Sequence, residues 1–307
     1  MGAALVVGGR VIAEVAATAA GAWALHALAH QAILRALRAP RTAHPEPSAQ
    51  AAAAGLTAVR LCGPQGRSLF GWWLPPPAAP SPALVVMHGW GANATLMLPL
   101  ALALRAQGWA VLVPDARCHG RSDDEAYTSL PRFAEDIDAA LDWLHAQPGI
   151  DTSRLALAGH SVGAGAALLC ATRRDDLAAV LSLSAFAHPR EVMRRWLAEH
   201  RLPYPLLGWY VLHHVQRVIG ARFDDIAPLA SIARVRCPVL LVHGCDDRTV
   251  PFADAERLQA AGAGRAVLLP VQAGHDIGDA LAAHTDEVTG FLHRAFDGGR
   301  PRAWETR

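Results

Sequence analysis

At 307 residues, 52% hydrophobic and 18% charged, the chain is long and apolar enough to bury a sizeable core, which excludes a disordered protein. Its 28 basic and 27 acidic residues balance and no basic stripe is interleaved with aromatics, so nothing favours a nucleic acid or a highly charged substrate. Five cysteines, an odd number with no CxxC pair, argue against a disulfide framework or a structural zinc site and favour a reducing compartment.

Residues 11–34 form the first element, a hydrophobic helix within 1–39. It is long enough for a bilayer, which takes roughly 20 apolar residues, although Glu14, His26 and His30 interrupt it. A membrane anchor, a helix lying on a surface or packed on the domain, and a cleaved signal peptide all remain open. If it spans, Arg35, Arg38 and Arg41 place the following domain in the cytoplasm; otherwise the protein is soluble there. His26 and His30 have the i, i+4 spacing of metal ligands but no carboxylate on that face, and read as plain helix residues. Pro40, Pro45 and Pro47 mark residues 40–55 as a linker, and residues 298–307 read as a loose tail.

From residue 56 the pattern becomes that of one domain, 56–297. LTAVRLC and SLFGWWL, joined through Gly63-Pro64-Gln65-Gly66, predict an opening hairpin. Apolar runs at 83–89, 109–115, 154–160, 178–185, 238–244 and 265–271 then alternate with helical stretches at 94–106, 131–146, 162–173, 252–261 and 279–296. Short, wholly apolar strands alternating with helices mean a parallel sheet covered on both faces, with any site beyond the carboxyl ends of the strands. Residues 186–236 break the rhythm. Trp196, Tyr204, Trp209 and Tyr210 argue against a bare loop and for a small helical cap.

Gly159-His160-Ser161-Val162-Gly163 follows a strand and opens a helix, the setting of the G-x-S-x-G nucleophile elbow. A serine needs a base. His275, after the last strand, completes the order serine, acid, histidine. The acid should follow the preceding strand, where Asp246 and Asp247 compete. An oxyanion needs two amides: Val162 directly after the serine, and Trp90 in His88-Gly89-Trp90-Gly91. His275-Asp276 lacks the companion ligands of a metal site, and Gly163-Ala164-Gly165 lacks the Lys-Ser/Thr of a phosphate loop, so no metal or cofactor is expected. Cys118 and Cys245 read as small apolar filler.

Taken together, HGWGAN (88–93), PDARCHGRS (114–122), GHSVG (159–163), PVLLVHGCDDRTVP (238–251) and AGHD (273–276) resemble the α/β-hydrolase superfamily, and within it the bacterial esterases, monoacylglycerol-lipase-like enzymes and serine aminopeptidase-like hydrolases. The resemblance covers residues 56 to about 296 and implies an α/β-hydrolase fold: a mostly parallel eight-stranded sheet with helices on both faces, no metal, and an acyl-enzyme mechanism. In the resembling enzymes the acid precedes Val-Pro by three residues, which selects Asp247. Cys118 stands where such enzymes carry glycine, and Ser161 argues against the relatives that use an aspartate nucleophile. The expected function is hydrolysis of a small-molecule carboxylic ester with an apolar acyl or alcohol group. A serine peptidase is the alternative within catalysis, and a non-catalytic binding protein the alternative outside it.

Overall fold

The computed structural model describes residues 2–298; of the tail expected at 298–307, residues 299–307 lie outside the described residues. Helix α1 spans Gly2–Ala36 and α2 Ala49–Ala53. The strands are β1 (Thr57–Cys62), β2 (Ser68–Leu74), β3 (Ser81–Met87), β4 (Ala110–Pro114), β5 (Ile150–His160), β6 (Leu177–Leu183), β7 (Val239–Gly244) and β8 (Ala266–Val271). They form an eight-stranded sheet in the order β1-β2-β4-β3-β5-β6-β7-β8. Strand β2 runs antiparallel to both of its neighbours, and the other pairs are parallel. The mostly parallel sheet read from the apolar runs is therefore present.

Successive residues of a strand point to opposite faces, and the chain fills both. Val85 and Met87 of β3 join one core with Phe133 and Ile137 of α4 (Leu130–His145) and Leu168 of α5 (Val162–Ala171). Leu84 and Val86 join the other with Leu104 of α3 (Leu98–Ala106). The start expected at 94 is a 3-10 turn, Ala94–Met97, and the α-helix begins at Leu98. Pro99, which lacks an N–H, sits in its first turn, where that loss is harmless.

The cap contains α6 (Pro189–Glu199), a π-helical turn Tyr204–Gly208, α7 (Trp209–Ile219), α8 (Phe223–Ile226) and α9 (Pro228–Ile232). Its root is tied to α10 (Phe252–Ala261): Arg257 grips both oxygens of Glu191 at 2.8 and 2.9 Å, and Asp254 accepts the Ala187 amide at 3.1 Å. The closing helix expected at 279–296 is two helices, α11 (Gly278–Ala283) and α12 (Thr285–Phe296), parted at His284 (φ −111°, ψ 24°).

The N-terminal region departs most from expectation. Among the described residues no helix is long and apolar enough to cross a membrane. The last turns of α1 are docked: Ile33 is buried in the core, and His26 and His30 meet Tyr210 and His214 of α7 at 2.9 Å each. Two of the arginines behind the orientation argument are engaged with the protein, Arg38 with the Ala126 carbonyl and Arg41 with Asp124 and the Ser122 carbonyl. Nor is the stretch after Pro40 a free tether. The His44 side chain is buried, with Nε2 2.7 Å from Asp115 Oδ2 and Nδ1 2.9 Å from Thr95 Oγ1. Asn93 donates its side-chain N–H groups to Thr42 and Ala43. Prolines in a linker and prolines in a docked extended segment look alike in sequence, because neither makes a repeating ladder.

Asp115 also accepts the amides of Ala94 and Arg121 at 2.7 Å. Burial would raise its pKa, but His44, the field of His88 and these amides hold the carboxyl below the usual range. Replacing His44 with alanine removes its buried side-chain partner and should cost about 3–5 kcal/mol in urea unfolding. Truncation at residue 25 should cost less than about 1 kcal/mol. Wild-type stability in His44→Ala would mean that the segment is a dispensable tether.

Candidate active site

Ser161 sits between β5 and α5 with φ 54° and ψ −115°, a left-handed conformation unusual for a side-chain-bearing residue. The turn forms because the residues two positions to either side, Gly159 and Gly163, have no side chains. A Cβ on Gly159 would lie 2.3 Å from the Gly163 carbonyl oxygen, and one on Gly163 would lie 2.3 Å from that of His88. The serine amide donates to the Leu183 carbonyl at 2.8 Å, which ties the turn to β6.

Three side chains from separate loops converge here. His275 Nε2 is 3.0 Å from Ser161 Oγ, and His275 Nδ1 is 2.8 Å from Asp247 Oδ2. Asp247 is buried, and its other oxygen accepts the amides of Thr249 and Val250 at 2.8 Å each. Those bonds fix the carboxylate and leave Oδ2 aimed at the imidazole. Asp246 is exposed, so the structure brings Asp247 and not its neighbour to His275. Asp276 accepts the Gly278 amide at 3.1 Å and turns the loop after His275.

The loop carrying Trp90 abuts the serine: a Cβ on Gly89 would lie 3.2 Å from Ser161 Cβ. Two buried histidines shape it. His88 Nδ1 donates to the Gly89 carbonyl at 2.7 Å while its Nε2 accepts the Ala116 amide at 3.1 Å. His119 Nε2 accepts the Gly91 amide at 3.2 Å, and its Nδ1 donates to the Arg117 carbonyl. Both acceptor roles need a neutral ring. Burial supplies it, lowering the pKa of His88 and bringing that of His119 down to about 4. Val162 is the first residue of α5, where an amide has no intrahelical acceptor.

Cys118 adopts the left-handed conformation, φ 66°, that glycine would supply at this position, and its buried sulfur accepts the Glu125 amide at 3.3 Å. Cys245 is exposed, which corrects its reading as core filler. The cysteines are free thiols, and among the described residues no group of three or more His, Cys, Asp or Glu side chains could hold a metal ion. Ser184, at the end of β6, reaches the same centre: its hydroxyl donates to the His275 carbonyl at 3.1 Å. Nothing in its sequence context marks it.

Residues 78–219 match the family model described as serine aminopeptidase, S33. An uncharacterized protein of Mycobacterium tuberculosis strain H37Rv is 31% identical over 225 residues, 72% of this chain and 73% of that protein. The uncharacterized protein YqkD of Bacillus subtilis is 27% identical over 209 residues, 66% of this chain and 67% of its own. Among solved structures, the Pyrococcus furiosus esterase Pf2001 superposes with a TM-score of 0.69 at 19% identity, over 84% of this chain and 97% of its own. A puromycin-hydrolyzing peptidase of Mycobacterium tuberculosis gives 0.64 at 24% identity, over 81% of this chain and 40% of its own. With its sheet order, its elbow and these relatives, the chain belongs to the α/β-hydrolase superfamily.

Proposed function

We propose that this protein is a serine hydrolase that cleaves a carboxylic ester through an acyl-enzyme. The observation that carries the reading is the hydrogen-bonded series from Asp247 through His275 to Ser161 at the tip of a glycine-flanked elbow. His275 takes the proton as Ser161 Oγ attacks the carbonyl carbon, and Asp247 holds the imidazole in the tautomer with Nε2 free to accept it. The Trp90 and Val162 amides bear the oxyanion. Collapse of the tetrahedral intermediate breaks the bond to the leaving alcohol, which takes the proton from His275. Water, activated by the same base, then releases the acid and regenerates Ser161.

An ester with an apolar acyl or alcohol group is the first choice of substrate, because the cap presents Trp196, Tyr204, Leu206, Leu207 and Trp209. The match to a serine aminopeptidase model favours a second reading, a peptidase acting through the same residues. A panel of p-nitrophenyl esters and aminoacyl p-nitroanilides separates them. Turnover of medium-chain esters, reduced about 10⁶-fold in Ser161→Ala, is expected. Faster turnover of the anilides would favour the peptidase, and undiminished turnover by Ser161→Ala would remove the nucleophile.

The two aspartates test the acid separately. Asp247→Asn should lower kcat about 10⁴-fold, because an amide favours the wrong tautomer. Asp246→Asn should lower it less than about tenfold. The opposite ranking would move the role one residue earlier.

We also propose that α1 rests against a membrane surface. Val15, Trp23, Leu25 and Leu28 are exposed, Trp23 to 73%, and aromatic and aliphatic side chains of this kind settle at the lipid–water boundary. The protein should co-sediment with phosphatidylcholine–phosphatidylserine vesicles, and removal of residues 1–25 should abolish this. Equal binding of the truncated protein would overturn the assignment.

A further inference from the structure

We propose that His160 and Ser184 are positioning residues that together hold the main chain of His275 in register with Asp247 and Ser161. The inference rests on the role proposed for His275 and adds the machinery that places it.

His275 lies beyond the end of β8, where the sheet ladder no longer fixes the backbone. Its own side chain is committed to Asp247 and Ser161, so its placement depends on what grips the peptide. Two side chains do so. His160 Nε2 is 2.9 Å from the His275 carbonyl oxygen and Ser184 Oγ is 3.1 Å from it. A carbonyl oxygen has two lone pairs, and each has a donor here. Both donors stand at the carboxyl ends of central strands. His160 is the last residue of β5, directly before Ser161, and Ser184 follows β6.

Each donor is itself held. Ser184 is fully buried at φ 52°, with its amide bonded to the Val242 carbonyl at 2.9 Å. The His160 ring packs 5.0 Å from the His275 ring at a tilt of 53°. Its Nδ1 faces Gly89, where a Cβ would lie only 3.2 Å away. The ring thus fills the space between the loop carrying Trp90 and the loop carrying His275.

Because a carbonyl can only accept, Nε2 of His160 must carry a proton. A neutral ring with the Nε2–H tautomer meets this requirement, and it avoids a second positive charge beside His275 when that residue becomes an imidazolium. Burial lowers the pKa of His160, and the nearby His275 lowers it further, against the opposing hydrogen bond and the carboxylates of Asp276 and Asp247. The arrangement therefore transmits position, not a proton. His160 and Ser184 touch no reacting atom.

The test uses the full-length chain and the best p-nitrophenyl ester, with His160→Leu, His160→Gln, Ser184→Ala and Ser161→Ala. Misplacing a catalytic group by about 1 Å can cost about 100-fold. His160→Leu and Ser184→Ala should therefore each lower kcat by about 10- to 100-fold, with KM changed less than about twofold. The acid limb of the kcat/KM profile should move to lower pH in both, because a loosened His275 meets Asp247 less well and its imidazolium is less stabilised. His160→Gln, which returns an N–H near the Nε2 position, should recover most of the loss. Loss of both donors should cost less than the product of the single losses, since they serve one carbonyl.

Wild-type kcat in His160→Leu and Ser184→Ala, or an unmoved acid limb in both, overturns the inference. So does a His160→Gln enzyme as impaired as His160→Leu, which would assign the residue to packing alone. Should His160→Leu fail to fold, Ser184→Ala decides the matter, as it removes one hydroxyl. Wild-type turnover by Ser161→Ala would instead overturn the hydrolase reading itself. An inactive Ser161→Ala with unaffected positioning variants would overturn the proposal made here and leave that reading standing.

Discussion

The turn at Ser161 leaves no room for a side chain two residues to either side, and the rest of the site is arranged around that restriction. The 2.3 Å approaches at Gly159 and Gly163 mean that β5, α5 and the loop after β3 are drawn together at main-chain distance. A side chain at either position would force these elements apart. In return Ser161 is lifted to the start of α5, where the helix dipole and the Val162 amide both favour a negative charge.

The sheet converts that local restriction into a convergent site. Strand β3 lies between β4 and β5, so the chain leaves β3 toward one side and later returns on the other. The loops after β3 and β5 therefore open at the same edge, at a crevice of the kind in which open α/β sheets bind their ligands. Asp247 and His275 reach this edge from β7 and β8. The loop after β3 depends on a second buried layer. His88, His119 and Asp115 bond it to the loop after β4, and His44 brings the N-terminal segment into the same network. The site thus rests on residues far from it in sequence, and the segment before β1 is part of its support.

What could be read in advance followed the periodicities and the spacing rules. Buried parallel strands are apolar along their whole length, so β3 to β8 stood out as runs, and the elbow announced itself through glycines that serve a steric need. Asp247, three residues before Val250, lies 2.8 Å from His275 while its other oxygen accepts the amides of Thr249 and Val250. Other features left no such trace. His44 and Ser184 act through long-range side-chain hydrogen bonds that no local pattern encodes. The docking of residues 40–44 was hidden because a proline-containing extended segment held by side chains has no period. The histidines of α1 carry no mark in sequence beyond that of plain helix residues, and their meeting with Tyr210 and His214 depends on where α7 lies.

The proposed chemistry requires Ser161 to be the residue that takes the acyl group. Intact-protein and peptide mass spectrometry after treatment with a fluorophosphonate measures this without knowledge of the natural substrate. One phosphonyl adduct per chain is expected, carried by the peptide containing Ser161 and formed at a greatly reduced rate in His275→Ala. A folded protein that takes up no adduct, or one that carries it on another residue, would contradict it.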